Sequence, residues 1–189
     1  MRLVQKGDES AFEKIVVMYK NRIVNYLTQM TGDYQRAVEL TQETFMRVYF
    51  KADRYKPIAP FSSWIYAIAS NLAKTDLKKM RKYTTVSLDD VPAPSGSQLA
   101  STDELQVSFL VKNVKRALDS LHPRYRIPVV LKDIEGFSQE EIAQILKRPV
   151  GTVKARISRG REHLKKVLER EDRKAGRAAK TEELQHGNT

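Results

Sequence analysis

Apolar residues recur every three or four positions along most of the chain. The repeat runs through Ile23, Leu27 and Met30, and it returns after Asp33 and again after Ser63. This spacing places apolar side chains on one face of an α-helix, and no segment has the sustained alternation typical of a half-buried strand. The sequence therefore predicts an all-α fold.

One segment interrupts this pattern. Helical spacing is lost over residues 83–102, whose middle reads PAPSGS, and it resumes toward Leu121. Proline, glycine and serine in this density are typical of a flexible linker. We therefore expect two small helical domains, at 1–82 and 103–170, joined by that linker. The polar residues 171–189 are expected to form a flexible tail.

Charge and cysteine content narrow the possible partners and sites. The net charge of +11 favours a polyanionic partner, and nucleic acid is the first candidate. The chain has no cysteine, so disulfides and thiolate metal sites are excluded, and a reducing compartment is favoured. The three histidines have no metal-ligand spacing, and no glycine-rich phosphate loop is present. We expect no metal, no cofactor and no catalytic residue.

The location of the protein is predicted from what the sequence lacks. The first ten residues are polar and carry no apolar run of the signal-peptide type. No stretch approaches the ~18 consecutive apolar residues that a membrane-spanning helix requires. We expect a cytoplasmic protein that does not insert into the membrane.

A helix-turn-helix is predicted toward the C-terminal end. Ser138 and Glu141 have the spacing of a capping box, which starts the first helix. Arg148 precedes Pro149, which disfavours continuation of that helix, and Gly151 is expected to let the chain turn before the second. Two short helices joined in this way can place the second one in a major groove of DNA.

The second helix of this pair carries basic and hydroxyl side chains. Arginine and lysine in a major groove read guanine edges or neutralise phosphates. A solvated basic face is the usual meaning of a charge run, but the position of this run on the outer face of a second helix favours DNA contact. The candidate DNA-binding residues are Thr152, Lys154, Arg156, Ser158, Arg159 and Arg161.

Three segments of the chain resemble the extracytoplasmic-function (ECF) sigma factors of bacterial RNA polymerase, in that family's order. Residues 138–161, SQEEIAQILKRPVGTVKARISRGR, resemble the minus-thirty-five recognition region. Residues 40–45, LTQETF, resemble the helix that binds core polymerase, and residues 61–71, FSSWIYAIASN, resemble the promoter-melting helix. The resemblance implies a subunit that directs core polymerase to specific promoters and assists promoter melting, without being an enzyme.

The resemblance also implies roles for residues of the first domain. The residues that match the core-polymerase-binding motif are Glu39, Gln42, Glu43 and Phe45. The residues that match the minus-ten DNA-binding positions are Phe61, Ser62, Asn71, Lys74 and Lys78. In that family the position of Asn71 helps to capture a flipped base, and we expect Phe61 and Ser62 to lie in a loop before the helix. Core packing is the alternative role for Phe45 and Trp64.

One position departs from the family pattern. The family usually has two consecutive acids where this chain has Val38 and Glu39, so docking on the polymerase clamp is expected to have a weaker electrostatic part. The partners that the resemblance implies are core RNA polymerase, promoter DNA both as duplex and as melted single strand, and an anti-sigma factor.

Two other classes of protein were weighed against this one. A helix-turn-helix transcription regulator with an N-terminal sensing or dimerising domain explains the C-terminal half equally well, but not the motifs at 40–45 and 61–71. An enzyme acting on nucleic acid would need clustered acidic metal ligands. The aspartates with no such spacing are Asp33, Asp53, Asp76, Asp89 and Asp90.

Overall fold

A computed structural model of the chain describes the backbone of residues 1–84 and 113–186, and the side chains of 1–80, 113–170 and 173. Over these residues it is helical and contains no strand, as the periodicity predicts. The α-helices of the described segments are α1 (Glu9–Thr31), α2 (Tyr34–Phe50), α3 (Phe61–Thr84), α4 (113–120), α5 (Pro123–Asp133), α6 (Gln139–Leu146) and α7 (Val150–His186). Single 3-10 turns occupy Val4–Lys6 and Ala52–Arg54. We call α1–α3 the first unit and α4–α7 the second unit.

Side-chain caps set the ends of the first two helices. The Asp8 carboxylate accepts the Ala11 N–H at 2.9 Å, which starts α1, and the Asp33 carboxylate accepts the Arg36 N–H at 3.1 Å, which starts α2. Between them, Gly32 has a φ of 74° and its N–H donates to the Thr28 carbonyl. A positive φ is unfavourable for residues with a side chain, so glycine fits this helix end.

The three helices of the first unit bury the apolar stripes that the sequence predicts. Tyr26 links two of them, because its hydroxyl lies 2.7 Å from the Ser70 hydroxyl and its ring stacks edge-on against Tyr66 at 5.1 Å. Burial raises the pKa of Tyr26 well above its usual range, so this hydroxyl stays protonated. The core residues of this unit include Ile23, Leu27, Met30, Leu40, Val48, Ile65 and Ala69.

The second unit contains a helix with two prolines and a close contact between two helices. Helix α5 begins at Pro123 and contains Pro128. A proline in the first turn has no N–H to leave unpaired, and an interior proline leaves one upstream carbonyl without its helical bond. In α7, Gly160 faces α5 so closely that an added Cβ would lie 2.6 Å from Val129 Cγ2.

The two units pack on each other and share one apolar core. The Tyr66 ring stacks edge-on against Phe137 at 4.9 Å, and the Tyr66 hydroxyl donates to the Glu135 carboxylate. Burial is the main cause of the raised pKa of the Tyr66 phenol and of the Glu135 carboxyl. On the other side of the interface, Arg126 donates from Nη1 to the Met30 carbonyl at 2.6 Å. Two compact units were predicted, but their direct contact was not.

The structure describes most of the predicted tail but only the first residues of the predicted linker. Residues 83 and 84 continue α3, and 85–102 lie outside the described residues. The tail predicted at 171–189 continues helix α7 as far as His186. This segment is rich in alanine, glutamate, lysine and arginine and contains no proline, a composition that favours helix.

Candidate nucleic-acid interface

The predicted capping box is present in full at the start of α6. Ser138 Oγ accepts the Glu141 N–H at 3.1 Å, and Glu141 Oε2 accepts the Ser138 N–H at 2.8 Å. Phe137 and Ile142, which flank the cap, are both buried. This reciprocal pairing fixes the direction in which α6 starts and thereby the placement of the helix that follows.

The turn between α6 and α7 is made differently from the prediction. Lys147 ends α6 in the left-handed region, with a φ of 50°, and Gly151 already lies inside α7. Gly151 therefore does not make the turn. Pro149 ends the connection, and its carbonyl accepts the Thr152 and Val153 N–H groups at 3.0 and 3.1 Å. Helix α7 starts at once after the proline, which places the basic residues in its first four turns.

The basic residues of α7 do not all lie on one exposed face. Lys154, Ser158 and Arg159 are exposed, whereas Val153 and Ile157 anchor the opposite side in the core. Lys154 and Arg156 are roughly 200° apart around the helix axis, at about 100° per residue. Arg156 is half-buried on the flank that faces α3, and Thr152 is half-buried on that same flank. The predicted single outer face is thus corrected to a smaller exposed patch.

Arg161 is held by an ion pair within the protein. Its guanidinium binds the Asp133 carboxylate through two nitrogens, one of them at 3.0 Å from Nε to Oδ2. This pair raises the pKa of Arg161 and ties the middle of α7 to the end of α5. A bidentate arginine–carboxylate pair has defined geometry. Arg161 therefore fastens helices together in this conformation, a role that its sequence position does not reveal.

The polar residues predicted on α3 form a single stripe. Asn71, Lys74 and Lys78 are exposed and lie three and four residues apart, so their side chains follow one helix face. Leu72 and Ala73 are buried on the other side. A stripe with one amide followed by two ammonium groups is a surface that can contact a base edge and a phosphate backbone together.

Phe61 and Ser62 lie in the first turn of α3, and not in a loop before it. The Trp64 N–H bonds to the Pro60 carbonyl at 3.4 Å, so the helix starts directly after that proline. The Phe61 ring packs edge-on against Tyr19 and Tyr55, and the Trp64 ring lies 5.3 Å from Tyr55. This aromatic cluster holds the beginning of α3. It supports the structural role weighed for Trp64.

The residues predicted to bind core polymerase lie on α2 beside an apolar groove. Glu39 and Gln42 are exposed, and Glu43 is half-buried and pairs with Arg47 at 2.6 Å. Phe45 is only 7% exposed and packs in the core against Phe12. Its observed role is therefore packing, although one edge of the ring reaches the groove.

The groove itself runs between α1 and α2 and has a volume of about 1170 Å³. Val38, the residue that departs from the family pattern, lines it. So do Met46, Tyr49 and Phe50, which the sequence analysis did not single out. Phe50 is 74% exposed. Large exposed apolar side chains beside a groove indicate a surface that a partner covers. Met46 and Phe50 fall outside the apolar stripe of α2, and this was the available signal in the sequence.

A network of charges connects α2 to α3 beside these surfaces. The Arg36 guanidinium binds the buried Asp76 carboxylate and also the exposed Glu39 carboxylate. Both acids raise the pKa of Arg36, with the Asp76 hydrogen bond the larger cause. Glu39, one of the predicted polymerase contacts, therefore has an internal partner that a docking protein would have to share or displace.

Among residues whose side chains are described, no group of three or more histidine, aspartate or glutamate residues is placed to hold a metal ion. No helix in the described part of the chain is long and apolar enough to cross a membrane.

Comparison with known proteins places these surfaces in one family. The family model of sigma-70 region 2 matches residues 15–83, and that of sigma-70 region 4 matches residues 112–164. The ECF RNA polymerase sigma factor SigW of Bacillus subtilis is 37% identical over 178 residues, which is 89% of this chain and 94% of the relative. The ECF RNA polymerase sigma-E factor of Escherichia coli K12 is 32% identical over 169 residues, covering 84% and 87%.

Solved structures have the same fold. The sigma factor RpoE of Bartonella quintana, in complex with the anti-sigma factor NepR, matches with a TM-score of 0.67 at 23% identity, over 84% of this chain and 97% of that one. CnrH in complex with the cytosolic domain of CnrY matches with a TM-score of 0.66 at 22% identity, over 89% and 94%. With both region models and full-length relatives in agreement, the chain belongs to the ECF sigma factors of the sigma-70 family.

Proposed function

We propose that the first unit binds core polymerase and the minus-ten element, and that the second unit binds the minus-thirty-five element. In this proposal the predicted domain at 1–82 has the first function and the predicted domain at 103–170 has the second. The predicted linker at 83–102 connects them. The protein works in the cytoplasm, performs no chemistry, and leaves catalysis to polymerase. The observation that carries the proposal is the exposed patch of Lys154, Ser158 and Arg159 on the second helix of a fully capped helix-turn-helix.

The α1–α2 groove is the proposed docking surface for protein partners. Its apolar floor and the exposed Gln42 and Glu39 beside it fit a partner helix with an apolar face and a basic edge. We propose that core polymerase binds here and that an anti-sigma factor covers the same groove. Two structural neighbours were solved with an anti-sigma factor or a named partner bound, which supports this class of partner.

Promoter binding requires the two units to separate. Asn71 and Lys74 of the first proposed DNA surface and Arg156 of the second line a single cavity between the units. The two promoter elements, by their names, lie about 25 base pairs apart, which is roughly 85 Å along B-form DNA. Side chains that share one cavity cannot reach both elements. The described conformation is therefore a closed form, and the contacts of Tyr66 and Arg126 must break on the way to the promoter.

The proposal is tested by transcription with purified components. Core polymerase with this protein is expected to start transcripts at discrete sites that core polymerase alone ignores. Mapping transcript 5′ ends on host genomic fragments measures this. Equal initiation with and without the protein would contradict the proposal.

Replacing Lys154 or Arg159 with alanine is expected to weaken promoter use by ~1–3 kcal/mol where a base contact is lost. Binding to core polymerase should stay unchanged, because neither residue lies near the α1–α2 groove. Lys165→Ala, an exposed lysine farther along the same helix, is the matched control. Run-off transcription and a core-binding assay measure both effects. A similar loss for the control would show that only overall charge matters.

Replacing Asn71 with alanine is expected to lower open-complex formation and to relax base preference at one minus-ten position. An amide matches a base edge with a donor and an acceptor, which alanine lacks. Folding should not suffer, since Asn71 is exposed on a helix. Permanganate footprinting on single-base promoter variants is the measurement, with the exposed Lys79→Ala as control. An unchanged pattern of preference would make Asn71 a surface residue only.

A further inference from the structure

The cavity between the two units is small and strongly cationic. Its volume is about 340 Å³, within the range of small-molecule sites. The lysines and arginines around it are Lys74, Lys78, Arg124, Arg148 and Arg156. Among the described residues that line it there is no aspartate or glutamate. Its walls come from α3 on one side and from α5, α6 and α7 with their connections on the other.

These cations have few acidic partners among the described residues. For Lys74, Lys78, Arg148 and Arg156, no ion pair with any described acid is present, in contrast to Arg36, Arg126 and Arg161. Arg124 lies over the Tyr125 ring at 4.6 Å, which leaves its charge in place. Like charges that converge on one cleft repel each other, so closing the two units is opposed until an anion enters.

Three further features indicate the chemistry of that anion. Helix α5 begins at Pro123, at the edge of the cavity, and its positive end adds to the attraction for phosphate. Leu77, Ile127 and Leu146 supply an apolar wall next to the cations. The exposed Asn71 amide stands at the same cavity and offers both a donor and an acceptor. Phosphate groups beside a flat ring with hydrogen-bonding edges satisfy all of these features.

We propose that this cleft binds a free nucleoside polyphosphate. The phosphates lie among the lysines and arginines of both units, and the base lies on the apolar wall beside Asn71. Because each unit supplies part of the site, the bound nucleotide holds the closed form together. It also covers Asn71, Lys74 and Arg156. The overlap with the DNA-binding surfaces rests on the DNA-binding roles proposed above, whereas nucleotide binding itself does not.

Isothermal titration of the full-length protein tests the binding. ATP, pyrophosphate and adenosine are titrated separately at low salt without divalent metal. ATP is expected to bind at least tenfold more tightly than either fragment, because only ATP uses both the cations and the apolar wall. Pyrophosphate binding as tight as that of ATP would overturn the proposal, and so would the absence of ATP binding.

Charge reversals locate the site. Lys78→Glu and Arg148→Glu, one in each unit, are expected to weaken ATP binding at least tenfold. Lys14→Glu and Arg116→Glu are the matched controls, since they change the same charge at exposed positions of the two units away from the cleft. Circular dichroism checks that all four variants fold. Equal losses in all four would mean unspecific attraction to a basic protein and would contradict the proposal.

A distance measurement tests the link between the units. The chain has no cysteine, so Asp53→Cys and Glu140→Cys place one dye on each unit at exposed positions. ATP is expected to raise energy transfer between the dyes, and Lys78→Glu is expected to abolish the rise. Unchanged or lower transfer with ATP would overturn the locking role. None of these experiments includes polymerase or promoter DNA, so failure here is distinct from failure of the proposed DNA contacts.

Discussion

Arg126→Met is expected to lower the free energy of unfolding by about 3 kcal/mol, measured by urea denaturation. Arg126 is 5% exposed, donates to the Met30 carbonyl at 2.6 Å, and lies 3.2 Å from the Asp119 carboxylate. Without the guanidinium, the Met30 and Asp119 carbonyls both lose their donor, and each buried polar group left without a partner costs ~1–3 kcal/mol. The Asp119 carboxylate is 44% exposed and remains solvated. Methionine keeps most of the apolar volume, so the loss reports the charge and its hydrogen bonds.

The same substitution should also open the closed form. Small-angle X-ray scattering is expected to show a larger radius of gyration, because the contact with the end of α1 is lost. Arg116→Met, at an exposed position of α4, is the control and should change neither quantity. A loss below about 1 kcal/mol, with unchanged dimensions, would show that Arg126 contributes little to the contact between the units.

Gly160→Ala is expected to lower the free energy of unfolding by about 2 kcal/mol. Alanine ordinarily stabilises a helix by ~1 kcal/mol relative to glycine. Here the added Cβ would lie 2.6 Å from Val129 Cγ2, a buried and branched side chain that cannot turn away, and α5 would have to shift. Overpacking of this kind costs ~1–3 kcal/mol or more, which outweighs the gain.

Two companion variants make the glycine experiment specific. Gly151→Ala in the same helix meets nothing within 4 Å and should leave stability equal or slightly higher. Val129→Ala combined with Gly160→Ala should lose less than the sum of the single losses, because the first removes the atom that the second strikes. Thermal and urea unfolding measure both. Additive losses would show that the cost of Gly160→Ala does not come from its contact with Val129.

Local patterns predicted the elements well where the signal and its partner are close in sequence. The capping box of Ser138 and Glu141 spans three residues, and the structure contains both of its hydrogen bonds. The turn was predicted less well, since Gly151 looked like the turning residue and Lys147 takes the left-handed conformation instead. A non-glycine residue in that region leaves no composition signal, because the surrounding packing imposes the conformation.

The sequence patterns did not predict contacts between residues that are distant along the chain. Tyr66 and Glu135 are 69 positions apart, and neither lies in a motif that names the other. The same holds for Arg161 and Asp133, so a charge run that predicts DNA contact includes one residue that is paired with an acid of another helix. Periodicity tells which face of a helix is apolar, but it does not tell which polar flank meets a neighbouring helix.

The bond from Arg126 to Met30 ends on a main-chain oxygen, and this affects how freely the two units can be exchanged between relatives. A carbonyl is present whatever side chain stands at position 30, so substitution there leaves the acceptor in place. What must be kept is the length of α1, which ends next to Gly32 with its φ of 74°. A chimera that joins the first unit of a relative to this second unit would keep the anchor if its first helix stops at the same residue. One residue inserted into that helix before the acceptor would turn the carbonyl away by about 100° and lose the bond.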